Sequence, residues 1–361
     1  MTTKKYETVL IEKQDGITWL IMNRPDKRNA MSPQLHLDMD DALDELSGDP
    51  ETQVLVLTGA GEAFCAGQDI KLYFRGGDAD PKLRRKASRA SNQWRWQRLS
   101  TFPMPTIAMI NGYCFGGGFT QVCACDLAIA SDEAVFGLSE VNWGILPGGI
   151  VSWNVAQTLN LRDGMYYALT GDTFDGKKAK EIGFVNFSYP KAALKAETIK
   201  LAKKLMEKSP AVLRYTKEAL RAVRFMNEPQ ASDYLNAKSD ALRFVDKEDS
   251  RGQGMKQFLD DKSYRPGFGA FKRQKAKLKE ETTKLAKKLQ EKSPAVLRYT
   301  KEAIRAVRFM NEPQAADYLS AKSDALRFVD KEDSRGQGMK QFLDDKTYRP
   351  GFGAFKRQKR A

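Results

Sequence analysis

The sequence predicts an α/β protein in which strands and helices alternate up to about residue 190 and helices alone follow. Three observations carry that reading. Short apolar runs such as Val54-Leu55-Val56-Leu57 and Ile107-Ala108-Met109-Ile110 are unbroken, as in strands buried on both faces. Each runs into a glycine turn and then a helix-like piece. Beyond residue 190 the pattern turns to helices broken by Ser-Pro. The expected organisation is a core over 1–190, a helical region over 191–275 and a further helical segment over 276–361.

Taken in order, Thr8 to Met22 reads as a hairpin, with β-type runs on either side of Gln14-Asp15-Gly16. A polar loop follows, Asn23-Arg24-Pro25-Asp26-Lys27-Arg28-Asn29-Ala30, whose three cations suit the phosphates of a large ligand as well as plain solvent. Ser32 is placed to cap a helix with Pro33 at its first position. The Val54–Leu57 strand ends at Thr58-Gly59, and Gly61 to Asp69 makes a glycine turn into a helix-like piece from Ile70 to Phe74. An Arg-rich helix from Pro81 carries Trp94 and Trp96, a pattern for burial at a domain or subunit contact. Asp126 to Ala130 reads as another strand, 156–170 as one helix, 177–182 as the next, 185–188 as a strand and 195–226 as two helices broken at Ser209-Pro210.

The 361 residues are 41% hydrophobic with five Trp, enough for a large core. No run approaches 18 apolar residues and the first residues lack an apolar signal core, so a cytoplasmic protein off the membrane is expected. The four cysteines, Cys65, Cys114, Cys123 and Cys125, form no C-x-x-C pair and read as reduced, mostly buried thiols. With His36 as the only histidine, a multi-histidine metal centre is excluded, and His36 lies in a helix away from every glycine turn. Of the net charge of +14, residues 276–361 supply +9.

That basic tail is a copy. Leu194 to Lys275 recurs as Leu278 to Lys359 at a constant offset of 84, with seven differences in 82 positions. Two units do not make a solenoid. Ile199 and Met206, seven apart and so on one helix face, become Thr283 and Gln290 in the copy, which could not be buried equally without unpaired polar groups. Residues 1–275 are therefore expected to be the complete unit, the alternative being that the second copy replaces the first in the core.

The stretch with chemistry in it is Thr106 to Asp126, TIAMINGYCFGGGFTQVCACD. A strand, a triple glycine at 116–118 and a helix start aim unpartnered N–H groups at an electron-rich atom, and glycines let a ligand approach the main chain. The spacing fits neither G-x-G-x-x-G nor a P-loop, which leaves an oxyanion site, or tight packing of helix on strand. The turn at Gly67-Gln68 is a second donor of the same kind, so that Gln68 and Gly117 can each give one N–H to one oxygen. Glu140, flanked by Leu138, Val141 and Trp143, is the carboxylate whose apolar setting favours its neutral form and proton exchange.

These pieces resemble the crotonase (enoyl-CoA hydratase/isomerase) superfamily over essentially all of residues 1–273: Asn23 to Ala30, Leu57 to Gly61, Phe64 to Asp69, Asn111-Gly112 with Gly116 to Gly118, and Phe136-Gly137 with Glu140. Within it, Gln93-Trp94-Arg95-Trp96, Phe115 to Phe119, Leu138 to Ile145, Tyr73 and Gly254 to Asp260 are most similar to the hydroxycinnamoyl-CoA hydratase-lyases. The resemblance implies a spiral of ββα units with a helical C-terminal region that forms a trimer or a dimer of trimers. It assigns the thioester hole to the N–H groups of Gln68 and Gly117, coenzyme A contacts to Lys27, Ala30, Ala66 and Ile70, and placement of the reacting water to Gly148. Ordinary hydratases of the family use two glutamates; here Thr120 takes the first position and Glu140 stands alone, as in the hydratase-lyases. Tyr73 is the expected contact of a 4-hydroxyl on the substrate ring, with Tyr234 and Trp143 as further substrate contacts, while Asn236 replaces a second tyrosine. No resident cofactor is implied, coenzyme A being part of the substrate.

The function this implies is hydration of 4-hydroxycinnamoyl-CoA thioesters of the feruloyl type, then retro-aldol cleavage to an aromatic aldehyde of the vanillin type and acetyl-CoA. The alternatives are an aromatic enoyl-CoA hydratase without the lyase step and, from another class, an RNA-binding relative. The tail's mixed charge, with no long basic block, disfavours nucleic acid.

Overall fold

The structure is a computed structural model describing residues 5–75, 80–148, 150–263 and 298, with the backbone alone for Phe74, Arg75 and Trp143. The chain divides into two units, 1–274 and 275–361; the repeat's second copy, Arg298 apart, lies outside the described residues.

Among the described residues of the first unit, ten strands build two sheets. Strands β1 (Val9–Gln14) and β2 (Ile17–Met22) pair antiparallel across a two-residue turn, where Asp15 and Gly16 both take positive φ, as such a hairpin requires. The large sheet continues in parallel through β3 (Val54–Gly59), β5 (Thr106–Ile110), β7 (Leu127–Ser131) and β10 (Phe187–Tyr189), in the order β1-β2-β3-β5-β7-β10. Strands β3 and β5 are buried at every position, which is why their sequences are unbroken apolar runs. The small sheet, ordered β4-β6-β8-β9, is built of three-residue strands: β4 (Ala63–Cys65), β6 (Tyr113–Phe115), β8 (Val135–Gly137) and β9 (Thr173–Asp175). Each successive turn of chain gives one strand to the large sheet and the next to the small one, β3 then β4, β5 then β6, β7 then β8, so the backbone advances as a spiral.

Helix α1 (Pro33–Ser47) starts where Ser32 accepts the Leu35 N–H, and buries Leu35, Met39, Leu43 and Leu46 on one stripe. Helix α2 (Pro81–Asn92) runs into a π-helical turn, Gln93–Arg98, that turns Trp94 wholly into the core and sets Trp96 edge-on against Trp153, 5.0 Å between ring centres. Helix α3 (Gly118–Ala124) is anchored by Phe119, whose ring lies 4.7 Å from Phe184 and also meets Phe136 and Phe174. The single helix expected over 156–170 is instead two, α4 (Val151–Thr158) and α5 (Leu161–Thr170). Asn160 breaks it, because its side chain accepts the N–H groups of Arg162 and Asp163 and starts a new helix there.

Beyond α6 (Gly176–Glu181) and β10 the chain is helical, as expected: α7 (Lys191–Met206), α8 (Pro210–Val223), α9 (Glu228–Val245) and α10 (Ser250–Leu259). Ile199 and Met206 are half-buried against the core under β2, β3 and β5. No described helix is long and apolar enough to cross a membrane.

Candidate active site

Three neighbouring strands of the small sheet deliver three loops to one place. Cys65 on β4 pairs with Cys114 on β6, and Cys114 with Phe136 on β8. The segments that follow, 66–69, 116–117 and 138–140, therefore leave the sheet side by side. Gly67 needs its positive φ of 91°, and a Cβ there would stand 3.1 Å from the Phe115 carbonyl oxygen and 3.7 Å from the Gly117 nitrogen. A Cβ on Gly117 would lie 3.9 Å from Gln68 Cγ. Gln68 and Gly117 thus lie side by side.

Their main-chain N–H groups are both left over. The Met31 N–H donates to the Gly67 carbonyl and the Met31 carbonyl accepts from the Asp69 N–H, which turns the Gln68 N–H away from that pairing. Gly117 precedes α3, so its N–H has no carbonyl within the helix. Among the described residues neither N–H reaches an acceptor.

Glu140 sits in a short 3-10 turn, Ser139–Trp143, at the end of β8. A Cβ on Gly116, whose φ is 49°, would fall 3.0 Å from its Oε1, so the carboxylate lies directly over the main chain at Gly116. Its Oε2 is buried without a hydrogen-bond partner, and burial raises its pKa above the ordinary 4.5, against the weaker opposing pull of its own N–H. Thr120, in the first turn of α3, is likewise buried with its hydroxyl unpartnered. A raised carboxyl beside two unpaired N–H groups can move a proton to or from a carbon whose charge the hole holds.

The loop carrying Lys27 and Ala30 is joined to the loop carrying Ala66 and Ile70 by the Ala66 N–H to Arg28 and the Met31 N–H to Gly67, so these four residues share one rim. Of the three cations of this loop, Lys27 is exposed beside Asp26. Arg24 is turned inward to the Ala30 carbonyl and to Asp69 at 2.9 Å, and Arg28 pairs with Glu62 and covers the Tyr113 ring. Both thus have acidic partners within reach.

Tyr73 stands edge-on to His36, 5.3 Å between ring centres, and His36 is the link that sequence reasoning missed. Its Nε2 hydrogen-bonds the Gln68 side-chain oxygen at 2.8 Å, while its Nδ1 accepts from Trp94 Nε1 at 2.9 Å. Indole only donates, so the imidazole holds its own proton on Nε2 and gives it to Gln68. Burial, with Arg95 nearby, pushes its pKa down to about 3, and it stays neutral. A polar ring on the buried stripe of α1, just past the Ser32 cap and its proline, was the signal available.

Tyr234 lies elsewhere in the chain, near Lys238 on α9, whose Nζ is 5.7 Å from its ring centre and 4.8 Å from that of Tyr215. Asn236 is exposed on the same helix. Gly148 is exposed in the bend before α4, where its carbonyl accepts the Val151 N–H. The side chain of Trp143 lies outside the described residues. Among the described residues no three His, Cys, Asp or Glu side chains are grouped to hold a metal. Cys65, Cys114, Cys123 and Cys125 are free thiols, all but Cys123 buried.

The two-sheet spiral and the paired N–H groups define a class, and residues 12–266 match the model of the enoyl-CoA hydratase/isomerase family. The chain belongs to that family. It is 54% identical over 270 residues to a hydroxycinnamoyl-CoA hydratase-lyase of Pseudomonas fluorescens, covering 74% of this chain and 98% of that one. A probable enoyl-CoA hydratase of Mycobacterium bovis is 34% identical over 60% of this chain and 81% of its own. Among solved structures, an enoyl-CoA hydratase subunit of Geobacillus kaustophilus superposes with a TM-score of 0.64 at 29% identity, covering 74% of this chain and 99% of that one.

Proposed function

We propose that the protein is a hydratase-lyase that adds water to 4-hydroxycinnamoyl-CoA thioesters of the feruloyl type and cleaves the adduct to an aromatic aldehyde of the vanillin type and acetyl-CoA. The observation that carries this is a single carboxylate, Glu140, over a hole made by Gln68 and Gly117, with the hydroxyl of Thr120 in place of a second acid. The 54% identity to the Pseudomonas hydratase-lyase supports the same reading.

The thioester oxygen takes the two N–H groups. Water adds its oxygen to Cβ; Glu140 accepts a water proton and delivers a proton to Cα. In the second half the β-hydroxyl gives its proton to Glu140 or to its partner water, the Cα–Cβ bond breaks, and its electron pair becomes the thioester enolate. Protonation of that enolate at Cα gives acetyl-CoA. A single such hole donor contributes about 10²–10³ in rate. Tyr73 is the group proposed to favour the ionised ring hydroxyl. Lys27, Ala30, Ala66 and Ile70 are proposed to contact coenzyme A, Gly148 to help place the water, and Trp143 and Tyr234 to contact the acyl group. Assembly as a trimer or a dimer of trimers in the cytoplasm goes with this reading.

Asn236 favours one other outcome. With an amide where the hydratase-lyase pattern has a tyrosine, the reaction stops at the 3-hydroxy-3-arylpropanoyl-CoA. Incubation of the purified protein with feruloyl-CoA separates the two. Vanillin and acetyl-CoA in equal amounts are expected; hydroxyacyl-CoA alone supports the hydratase, and neither product overturns both.

A further inference from the structure

Among the described residues, Arg95 is a cation inside the protein with no carboxylate to hold. It is 5% exposed, in the π-helical turn after α2, and the hydrogen bond it makes, Nε to the Ser91 carbonyl, is long at 3.4 Å. The other largely buried cations each reach a carboxylate: Arg24 meets Asp69 at 2.9 Å and Lys217 meets Asp126 at 2.5 Å. No carboxylate of the described residues comes within 4.0 Å of Arg95. The groups whose charge it would feel are the Tyr73 phenol and then the Cys65 thiol, and burial holds Cys65 neutral, its thiol pushed up to about 11. Burial lowers the guanidinium's own pKa, the mark of an uncompensated charge, yet arginine stays protonated in proteins. An unpaired buried charge destabilises a fold.

Its position says what it is for. Arg95 Nη1 lies 3.1 Å from where a Cβ on Gly117 would stand, a spot also bounded by Met31 Cε at 3.0 Å and Gln68 Cγ at 3.9 Å. The cation is therefore packed against Gly117, one of the two residues whose N–H groups are left over, on the side that Gln68 Cγ also borders. Those groups see a neutral carbonyl in the bound thioester and a full negative charge in the enolate. A fixed positive charge in a dry setting acts on the second and hardly on the first.

We propose that Arg95 is an electrostatic positioning residue of the hole, a buried counter-charge behind Gly117 that stabilises the thioester enolate. The proposal rests on the acyl-CoA reading of the site. It assigns the residue no contact with substrate; it acts through the field at the shared oxygen.

The test compares wild type, Arg95→Gln and Arg95→Lys in the full-length protein. Acetoacetyl-CoA, a β-ketothioester that ionises to an ultraviolet-absorbing enolate, is titrated with pH on each. Wild type should hold the enolate at lower pH than Arg95→Gln by about one pH unit or more, a tenfold loss of enolate stabilisation, and Arg95→Lys should recover part of it. With feruloyl-CoA, Arg95→Gln should lose about 10- to 10³-fold in kcat with KM little changed. Its thermal midpoint should equal or exceed that of wild type, because the change removes an unpaired buried charge. Unchanged enolate absorbance in Arg95→Gln overturns the proposal while leaving the function intact. So does a lower midpoint with kcat and binding falling together, which marks a structural arginine. Failure of wild type to turn over feruloyl-CoA at all overturns both.

Discussion

Ionising Glu140 costs the fold stability, because burial disfavours the charged form. Because burial raises its pKa above 4.5, the folded state holds the proton more tightly than the unfolded chain. Below pH 4.5 both states are protonated and nothing is lost; as pH rises through the folded value, the carboxylate destabilises the fold, and the deficit persists at neutrality. Glu140→Gln should therefore raise the thermal midpoint at pH 7, with the gain shrinking towards pH 4, while turnover of feruloyl-CoA falls by about 10²–10⁴. Calorimetry at the two pH values and a product assay check both halves, and near-normal turnover would refute the assignment. At this scale the sequence announces Glu140, Gln68 and Gly117 through glycines that only a close approach explains. It does not announce His36 or Arg95. Their meaning comes from neighbours 32 and 22 residues away, Gln68 and Gly117, which no local pattern connects.

At the level of elements, the site is held by what lies behind it. Helix α8 is fastened across the end of β7 by Lys217, whose Nζ donates to Asp126 at 2.5 Å and to the carbonyls of Phe102 and Met104 at 2.8 and 3.0 Å. Arg221 adds a second contact to Asp126 at 3.2 Å and one to the Ala124 carbonyl at 2.6 Å, so the C-terminal end of α3 is part of the same clamp. Burial lowers the Lys217 pKa while Asp126 pulls the other way, as in a desolvated pair that stands because its geometry is complete. Lys217→Met should cost about 3–5 kcal/mol, since it leaves a carboxylate and two carbonyls without their shared donor. Urea denaturation would show this as a lower midpoint at unchanged slope. A loss under about 1 kcal/mol would mean that water replaces the ammonium. The helices were legible from caps such as Ser32-Pro33 and Ser209-Pro210. The small sheet was not, because three-residue strands are too short to show a period and their partners are distant in sequence.

For the molecule as a whole, the question is how much of the chain the site needs. The family match ends at residue 266 and the first unit at 274, so both close before the second copy of the repeat begins at Leu278. The first copy supplies Ile199 and Met206 to the core beneath the large sheet, together with Lys217 and Arg221 at the clamp. The second has Thr283 and Gln290 at the two apolar positions, where a hydroxyl and an amide give up the apolar contact that Ile199 and Met206 make. Among the described residues it is the first copy that packs on the core. A chain ending at Lys275 should keep the full enzyme's kcat and KM with feruloyl-CoA and its thermal midpoint, and lose most of the basic excess, since residues 276–361 supply +9 of the net +14. Light scattering on both forms reads the assembly directly, and a trimer from the shortened chain is expected. Loss of turnover on truncation, with the fold intact by circular dichroism, would show that the second copy contributes to the site.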